Sequence, residues 1–252
     1  MGGLRLRLGV GHDGSLGPVA DDLRPDHVGS TGCPTVAPVS LADVLRAAAE
    51  RRHPEPDGSV DVMPQHGRAA GVVAFSAHFV VSADVDHQWV RDQLPPGDYS
   101  APLGARFLVA LADRVGADIG SIDAVLAAPG RGDGQAGDVA ASLEEIGARE
   151  HPRVVRALRY RDDVRVWRTP DGAGHLIVGR GLAGRWETAF EVEPAARGRG
   201  LGRRLAAAAT ALVPDGEPVW AQVAPGNAAS LRVVLAAGYE PVCGEVLLPP
   251  RR

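Results

Sequence analysis

A chain of 252 residues with 45% apolar composition is long enough for one large domain or two small ones and has core material for either. All 27 basic residues are arginine, set against 31 acidic residues, and the net charge of -4 argues against nucleic-acid binding by the whole molecule while leaving local basic patches able to grip phosphate. No twenty-residue apolar run and no signal-peptide core in MGGLRLRLGVGHDG are present, and Cys33 and Cys243 lie far apart without metal-ligand spacing, so a cytoplasmic protein with no membrane partner, no disulfide framework and no metal is expected.

Residues 1–40, rich in Gly, Pro and Asp and without a sustained period, read as an irregular N-terminal arm. Ser40 is placed to cap a helix running to Arg52, with Leu41, Val44 and Leu45 on one face, and His53 to Arg68 reads as linker. The β-branched and aromatic runs Val72 to Phe75 and Phe79 to Val81 suit strands. Asp86 can cap a helix through Val90 to Leu94, with Trp89 inward, that stops at Pro95-Pro96-Gly97. Pro102 to Val115 reads as a helix with Gly116 past its end, and Ile122 to Leu126 as a buried strand. The tract Pro129 to Gly137 is a linker, which places an accessory α/β domain at 41–135 and a second domain at 140–252.

In the second half, a helix is expected around Ser142 to Ala148, then a helical or irregular segment HPRVVRALRY. Strands Val164 to Arg168 and His175 to Gly179 are joined at Pro170-Asp171-Gly172 as a hairpin. A strand Trp186 to Glu193, a helix Gly200 to Val213, a strand Val219 to Val223, a helix Ala228 to Ala237 and a strand Pro241 to Leu248 complete the order. That alternation implies an α/β fold with a mixed, twisted sheet flanked by helices.

One segment carries chemistry. Val192 to Leu205 runs from a strand end through the turn Arg197-Gly198-Arg199-Gly200-Leu201-Gly202 into an Ala-rich helix. A helix start presents unpaired N–H groups and the positive end of the dipole, and Gly at 198, 200 and 202 removes side chains that would hold a phosphate away. Arg197, Arg199, Arg203 and Arg204 add attraction for a polyanion, while Leu201, Leu205, Ala208, Ala209 and Leu212 form an apolar stripe that anchors the turn. The spacing does not fit G-x-G-x-x-G, and G-x-x-x-x-G-K-[ST] needs a lysine.

The sequence R-x-x-G-x-G after V-x-P resembles the acyl-CoA motif of the GNAT superfamily of N-acetyltransferases. A second segment, Asn227 to Leu231 through Ala237-Gly238-Tyr239, resembles the motif that follows it in that family; Asn227 can cap the helix and Gly238 can end it. The resemblance covers roughly residues 143–252. It implies a GNAT fold there, with the N-terminal half an accessory α/β domain or a degenerate copy of the same fold. It further implies acetyl-CoA as acyl-donor co-substrate, an amine acceptor, and strands at Glu187 to Val192 and Val219 to Val223 that splay to admit the pantetheine arm. Phe190, Glu191 and Val192 would then bond the arm through backbone groups, Arg197 to Arg203 would wrap the pyrophosphate, and Asn227 and Ser230 would contact the cofactor. The oligomeric state implied is monomer or homodimer.

An amine needs a group to take its proton before attack on a thioester. Glu187 and Glu191 lie on the strand that approaches the thioester, and alternation puts both on one face with Ala189, while Trp186, Thr188, Phe190 and Val192 point to the other. Glu187, mid-strand, is the first candidate base, against a plain reading of both as solvated strand residues. The family often has a Tyr seven residues after the Asn, and here that position is Val234. Tyr239 substitutes only if the chain end folds back, and an aromatic there is more often core. A non-catalytic acyl-CoA-binding module is therefore the alternative. His78 and His87 read as surface residues, Gly29-Ser30-Thr31-Gly32 as a loop, Arg131-Gly132-Asp133 as linker, and the tryptophans as core, with Trp186 beside Glu187 a candidate lining for the acceptor pocket. The acceptor itself is not encoded in any motif.

Overall fold

The computed structural model describes residues 39–132, 140 and 142–251, which fall in one compact unit, Pro38–Arg252. The N-terminal arm, the Gly29 to Gly32 turn, Cys33 and most of the Pro129 to Gly137 tract lie outside the described residues.

Helix α1 (Leu41–Ala49) starts at a capping box in which Ser40 Oγ accepts from the Asp43 amide and Asp43 accepts from the Ser40 amide. Strands β1 (Val60–Met63), β2 (Ala70–Ala74) and β3 (Phe79–Ser82) follow. The first of these lies inside the segment expected to be linker. Helix α2 (His87–Gln93) is capped by Asp86 as expected. The helix expected from Pro102 is split at Gly104, whose extended backbone separates a 3₁₀ turn, Ala101–Leu103, from α3 (Ala105–Val115). Gly116 ends α3 in the left-handed conformation. Strand β4 spans Ile122–Pro129.

Of the helix expected at Ser142 to Ala148 only Ser142 is helical; beyond it comes a short strand, β5 (Glu144–Glu145), paired with β6 (Asp162–Arg168), where Arg165 and Arg168 on β6 ion-pair with the two glutamates. Between them α4 (Pro152–Tyr160) forms, opened by His151 with proline at its first position. The remaining elements are β7 (Gly174–Arg180), β8 (Trp186–Val192), α5 (Leu201–Ala211), β9 (Pro218–Val223), α6 (Ala228–Ala236) and β10 (Glu240–Leu248).

The ten strands among the described residues form one mixed sheet in the order β1-β3-β2-β10-β4-β9-β8-β7-β6-β5. The expected boundary between the halves therefore does not separate two sheets. Strand β4, from the N-terminal half, pairs antiparallel with both β9 and β10, so the last strand reaches its own half only through β4. Val125 and Leu126 are fully buried at that seam, and each buried aliphatic side chain is worth ~1.5–3 kcal/mol. A continuous hydrophobic core thus replaces an interdomain surface.

Helices cover both faces. On one, α5 packs Leu201, Leu205, Ala208 and Ala209 against Leu176, Val178, Val219 and Ala221, and further along α3 packs Phe107, Leu108 and Leu111 against Val72, Val81 and Val246. On the other, α1 packs Leu41, Leu45 and Ala48 over Val73, Val125 and Trp220, and α4 packs Val154 and Ala157 over Val166, Ile177 and Ala189.

Candidate active site

Strands β8 and β9 run parallel and pair only at Trp186↔Val219, Glu187↔Trp220 and Thr188↔Ala221. Beyond that point β8 stays paired with β7 through Val192, and β9 stays paired with β4 through Val223. From Ala189 onward the β8 edge facing β9 has no strand partner among the described residues. A buried strand edge must satisfy its amides elsewhere, so this opening is a place for an extended ligand to hydrogen-bond.

A cleft of about 270 Å³ passes through the opening. On the α5 and α6 face it is bordered by Phe190, Val223, Asn227, Ser230 and Val234. On the α4 face it is bordered by Arg153, Arg156, Tyr160, Ser121 and Asp123. Thr188, Ala221 and Gln222 line the passage between them. Asn227 caps α6 by accepting from the Ser230 amide, which fixes both residues at the rim. Gly238 ends the following turn with φ of 92°, as the sequence suggested.

The glycine turn lies where β8 hands over to α5. Gly198 and Gly200 have φ of 74° and 76°, a region costly for residues with a Cβ. No side chain caps α5, so its first N–H groups face outward without an intrahelical acceptor. A Cβ built on Gly198 would meet nothing within 4 Å, so the space above the turn is open. Gly202 has another role than the sequence suggested. Its Cα faces Val233 and Phe190, with a Cβ there 3.4 Å from Val233, so this glycine serves helix packing rather than anion access. Arg197 donates from Nε to the Val192 carbonyl at 3.0 Å and ties the turn to the strand end.

Glu187 and Glu191 share a face with Ala189, as alternation required, but they meet different surroundings. Glu187 is wholly buried and ion-paired on both sides, with Arg161 Nε at 2.8 Å and Arg185 Nε at 2.9 Å, and its Oε1 also accepts from the Leu182 amide. Burial alone would raise its pKa, but the Arg185 and Arg161 guanidinium groups outweigh it and hold the carboxyl well below the usual range. Arg185 continues to Glu245, also buried, in a bidentate pair at 2.7 Å. The result is a buried string of two arginines and two glutamates that crosses the sheet from α4 to β10. A Cβ at Gly181 would sit 2.1 Å from the Glu187 carboxyl carbon, so the string also requires that glycine. A carboxylate held this way is a weak proton acceptor, which removes Glu187 as the physically favoured base. Glu191 is not among the residues that line the cleft and pairs with Arg153, which does, at 3.5 Å.

Sequence reasoning passed over Asp123. It stands on β4 opposite Glu245 in register, lines the cleft and accepts a single side-chain bond, from Ser121 Oγ at 2.9 Å. Its pKa is raised, chiefly by desolvation, with Ser121 and the charge of Arg156 opposing. No local pattern marked it, because β4 reaches the site only through long-range pairing.

The structure also places the other residues that the sequence singled out. Tyr239 is buried and donates to the Ala206 carbonyl at 3.0 Å, and burial pushes its hydroxyl up, so it is core. Val234 is buried beside the cleft at the position of the family's tyrosine. Trp186 does not line the cleft; the Arg180 guanidinium lies 3.7 Å over its ring. His78 is buried rather than at the surface, between Asp57 and Asp61 at 3.2 and 3.3 Å. Among the described residues no group of His, Cys, Asp or Glu is arranged to hold a metal, and no helix is long and apolar enough to cross a membrane.

A mixed sheet with an opened parallel strand pair, and beside it an uncapped helix start led by two left-handed glycines, defines an α/β domain with an open cleft at its parallel strand pair. Residues 149–239 match the family model described as the Acetyltransferase (GNAT) family, and this segment is a GNAT acetyltransferase domain. No curated protein matches the chain. Among solved structures the chain is similar to a GCN5-related N-acetyltransferase from Kribbella flavida, at 20% identity and TM-score 0.33, covering 57% of this chain and 64% of that one. It is also similar to an acetyltransferase of the GNAT family from Colwellia psychrerythraea, at 11% identity and TM-score 0.33, covering 57% and 61%. The chain thus spans less than two thirds of either.

Proposed function

We propose that this protein is an acetyl-CoA-dependent N-acetyltransferase that delivers the acetyl group to a primary amine by direct attack in a ternary complex. The observation that carries this reading is the continuous cleft through the β8–β9 opening, which joins a cofactor side to an acceptor side.

Acetyl-CoA supplies an acyl thioester, an electrophile that needs no metal. The first-turn N–H groups of α5, with Arg199 and Arg203, hold the pyrophosphate; the open edge of β8 at Phe190 and Glu191 receives the pantetheine arm; Asn227 and Ser230 border it. The Val192 carbonyl is already engaged by Arg197, so that residue aligns the turn with the strand. Asp123 takes the proton from the incoming amine, its raised pKa bringing it nearer the working pH than an ordinary carboxylate. Glu187 holds β8 in place through its two arginines. A departing thiol of ordinary pKa, near ~8.5, leaves without an acid at position 234.

Following free thiol during incubation with acetyl-CoA and an amine panel tests this reading, and no release above background with any amine overturns it. The presence of Val234 in the cleft favours one other reading, a non-catalytic acyl-CoA-binding module. Calorimetric CoA binding without thiol release would establish that reading instead.

A further inference from the structure

The acceptor side of the cleft is built from charges that do not meet. Arg153, Arg156 and Tyr160 repeat at helical spacing on the face of α4 that borders the cleft, and Arg161 follows just past the helix end. Two of these cations are committed, Arg153 to Glu191 and Arg161 to Glu187. Arg156 makes no ion pair among the described residues, yet it is close enough across the cleft to lower the pKa of Asp123. Asp123 in turn is bonded only by the Ser121 hydroxyl. An uncommitted guanidinium and an uncommitted carboxylate thus face each other across open space beside the strand opening.

We propose, building on the transferase reading above, that the acceptor is an amino acid or a similar compound carrying a carboxylate close to its amine. The acceptor's carboxylate seats on Arg156, whose planar fork suits bidentate pairing, and its ammonium turns to Asp123. That arrangement points the amine at the opening between β8 and β9, where the thioester end of the arm would lie. Asp123 takes one proton from the ammonium and passes it to solvent; the freed amine attacks, forming the N–C bond and breaking the C–S bond, its second proton passes to Asp123, and the electron pair leaves on the sulfur as thiolate. A simple amine or a polyamine would satisfy Asp123 but leave Arg156 without a partner. A protein amino terminus, whose carboxyl is an amide, would do the same.

The test compares amino acids with their carboxamides and decarboxylated amines in the thiol-release assay, on wild type and on Arg156→Gln. The wild type is expected to favour the free carboxylates by tenfold or more in kcat/KM, ~1.4 kcal/mol, with the difference in KM, and Arg156→Gln should erase the preference. Turnover of the amines with no preference for a carboxylate overturns the inference and leaves the transferase reading intact. If no amine is turned over, the transferase reading fails, and calorimetry of the amino acids against the CoA-saturated protein decides the inference. Binding that Arg156→Gln weakens supports the acceptor seat, and its absence overturns it.

Discussion

Glu187 and Asp123 stand on one face of the same sheet, and both line the same cleft, but their surroundings are opposite. Glu187 is enclosed by two guanidinium groups and a backbone amide, while Asp123 has one hydroxyl and open space. The contrast separates two uses of a carboxylate. Full pairing makes it a structural tie, because both oxygens are engaged and two guanidinium charges hold the ionised form. Partial desolvation without a partner makes it a proton acceptor poised for a ligand.

Substituting each in turn can break that distinction. Asp123→Asn should lower the rate by ~10²–10⁴-fold, the range for a lost general base, while CoA affinity by calorimetry stays unchanged. In the wild type, kcat/KM should rise with pH as Asp123 deprotonates, at a higher pH than an ordinary aspartate would, and this limb should vanish in the variant. Glu187→Gln should instead unfold more easily, because Arg161 and Arg185 would lose the charge between them; breaking a buried pair costs ~3–5 kcal/mol, read from urea midpoints. A Glu187→Gln protein with wild-type stability and no turnover would reverse the two roles.

The same contrast explains what could be read from the sequence. The proposed cofactor side is local: Gly198, Gly200 and the uncapped start of α5 are neighbours in the chain, as are Asn227 and Ser230, so composition and order are enough to put them forward together. The proposed acceptor side is assembled from segments far apart. Asp123 reaches the cleft because β4 inserts between β9 and β10, and a non-local pairing leaves no trace in a window of ten residues. Alternation placed Glu187 on the correct face, yet the arginines that neutralise it come from the residue after α4 and from the turn before β8. Strand β1 is hidden by the Pro and Gly around it, and β5 by helix-favouring glutamates whose partners, Arg165 and Arg168, lie on another strand.

The glycines of the turn sharpen the comparison on the cofactor side. Gly200→Ala should destabilise by ~1–2 kcal/mol because its φ of 76° is left-handed, and the same distortion should weaken CoA binding. Gly202→Ala should have a smaller effect, since its Cβ would make only close van der Waals contact with Val233 at 3.4 Å. Equal loss of CoA affinity in the two variants would return Gly202 to the anion site.

The smallest expected effect is a pH dependence at the N-terminus of α4, the helix that carries the acceptor wall. His151 caps it by accepting the Arg153 amide on Nδ1, which requires that nitrogen unprotonated, and its ring lies 4.4 Å from that of His175. His175 has a lowered pKa, through desolvation first and then the charge of His151, with Arg168 adding and Glu193 and Glu191 opposing. The folded protein therefore binds this proton less readily than the unfolded chain does. Stability should be full above the unfolded value of ~6.5 and decline as pH falls below it, because the unfolded state takes up the proton first. Urea midpoints measured across that window should fall with acidification in wild type and fall less in His175→Gln. An equal slope in both would place the acid sensitivity elsewhere than the histidine pair. Acceptor KM should then be insensitive to the same substitution, since α4 would stay seated through the Val154 and Ala157 contacts alone.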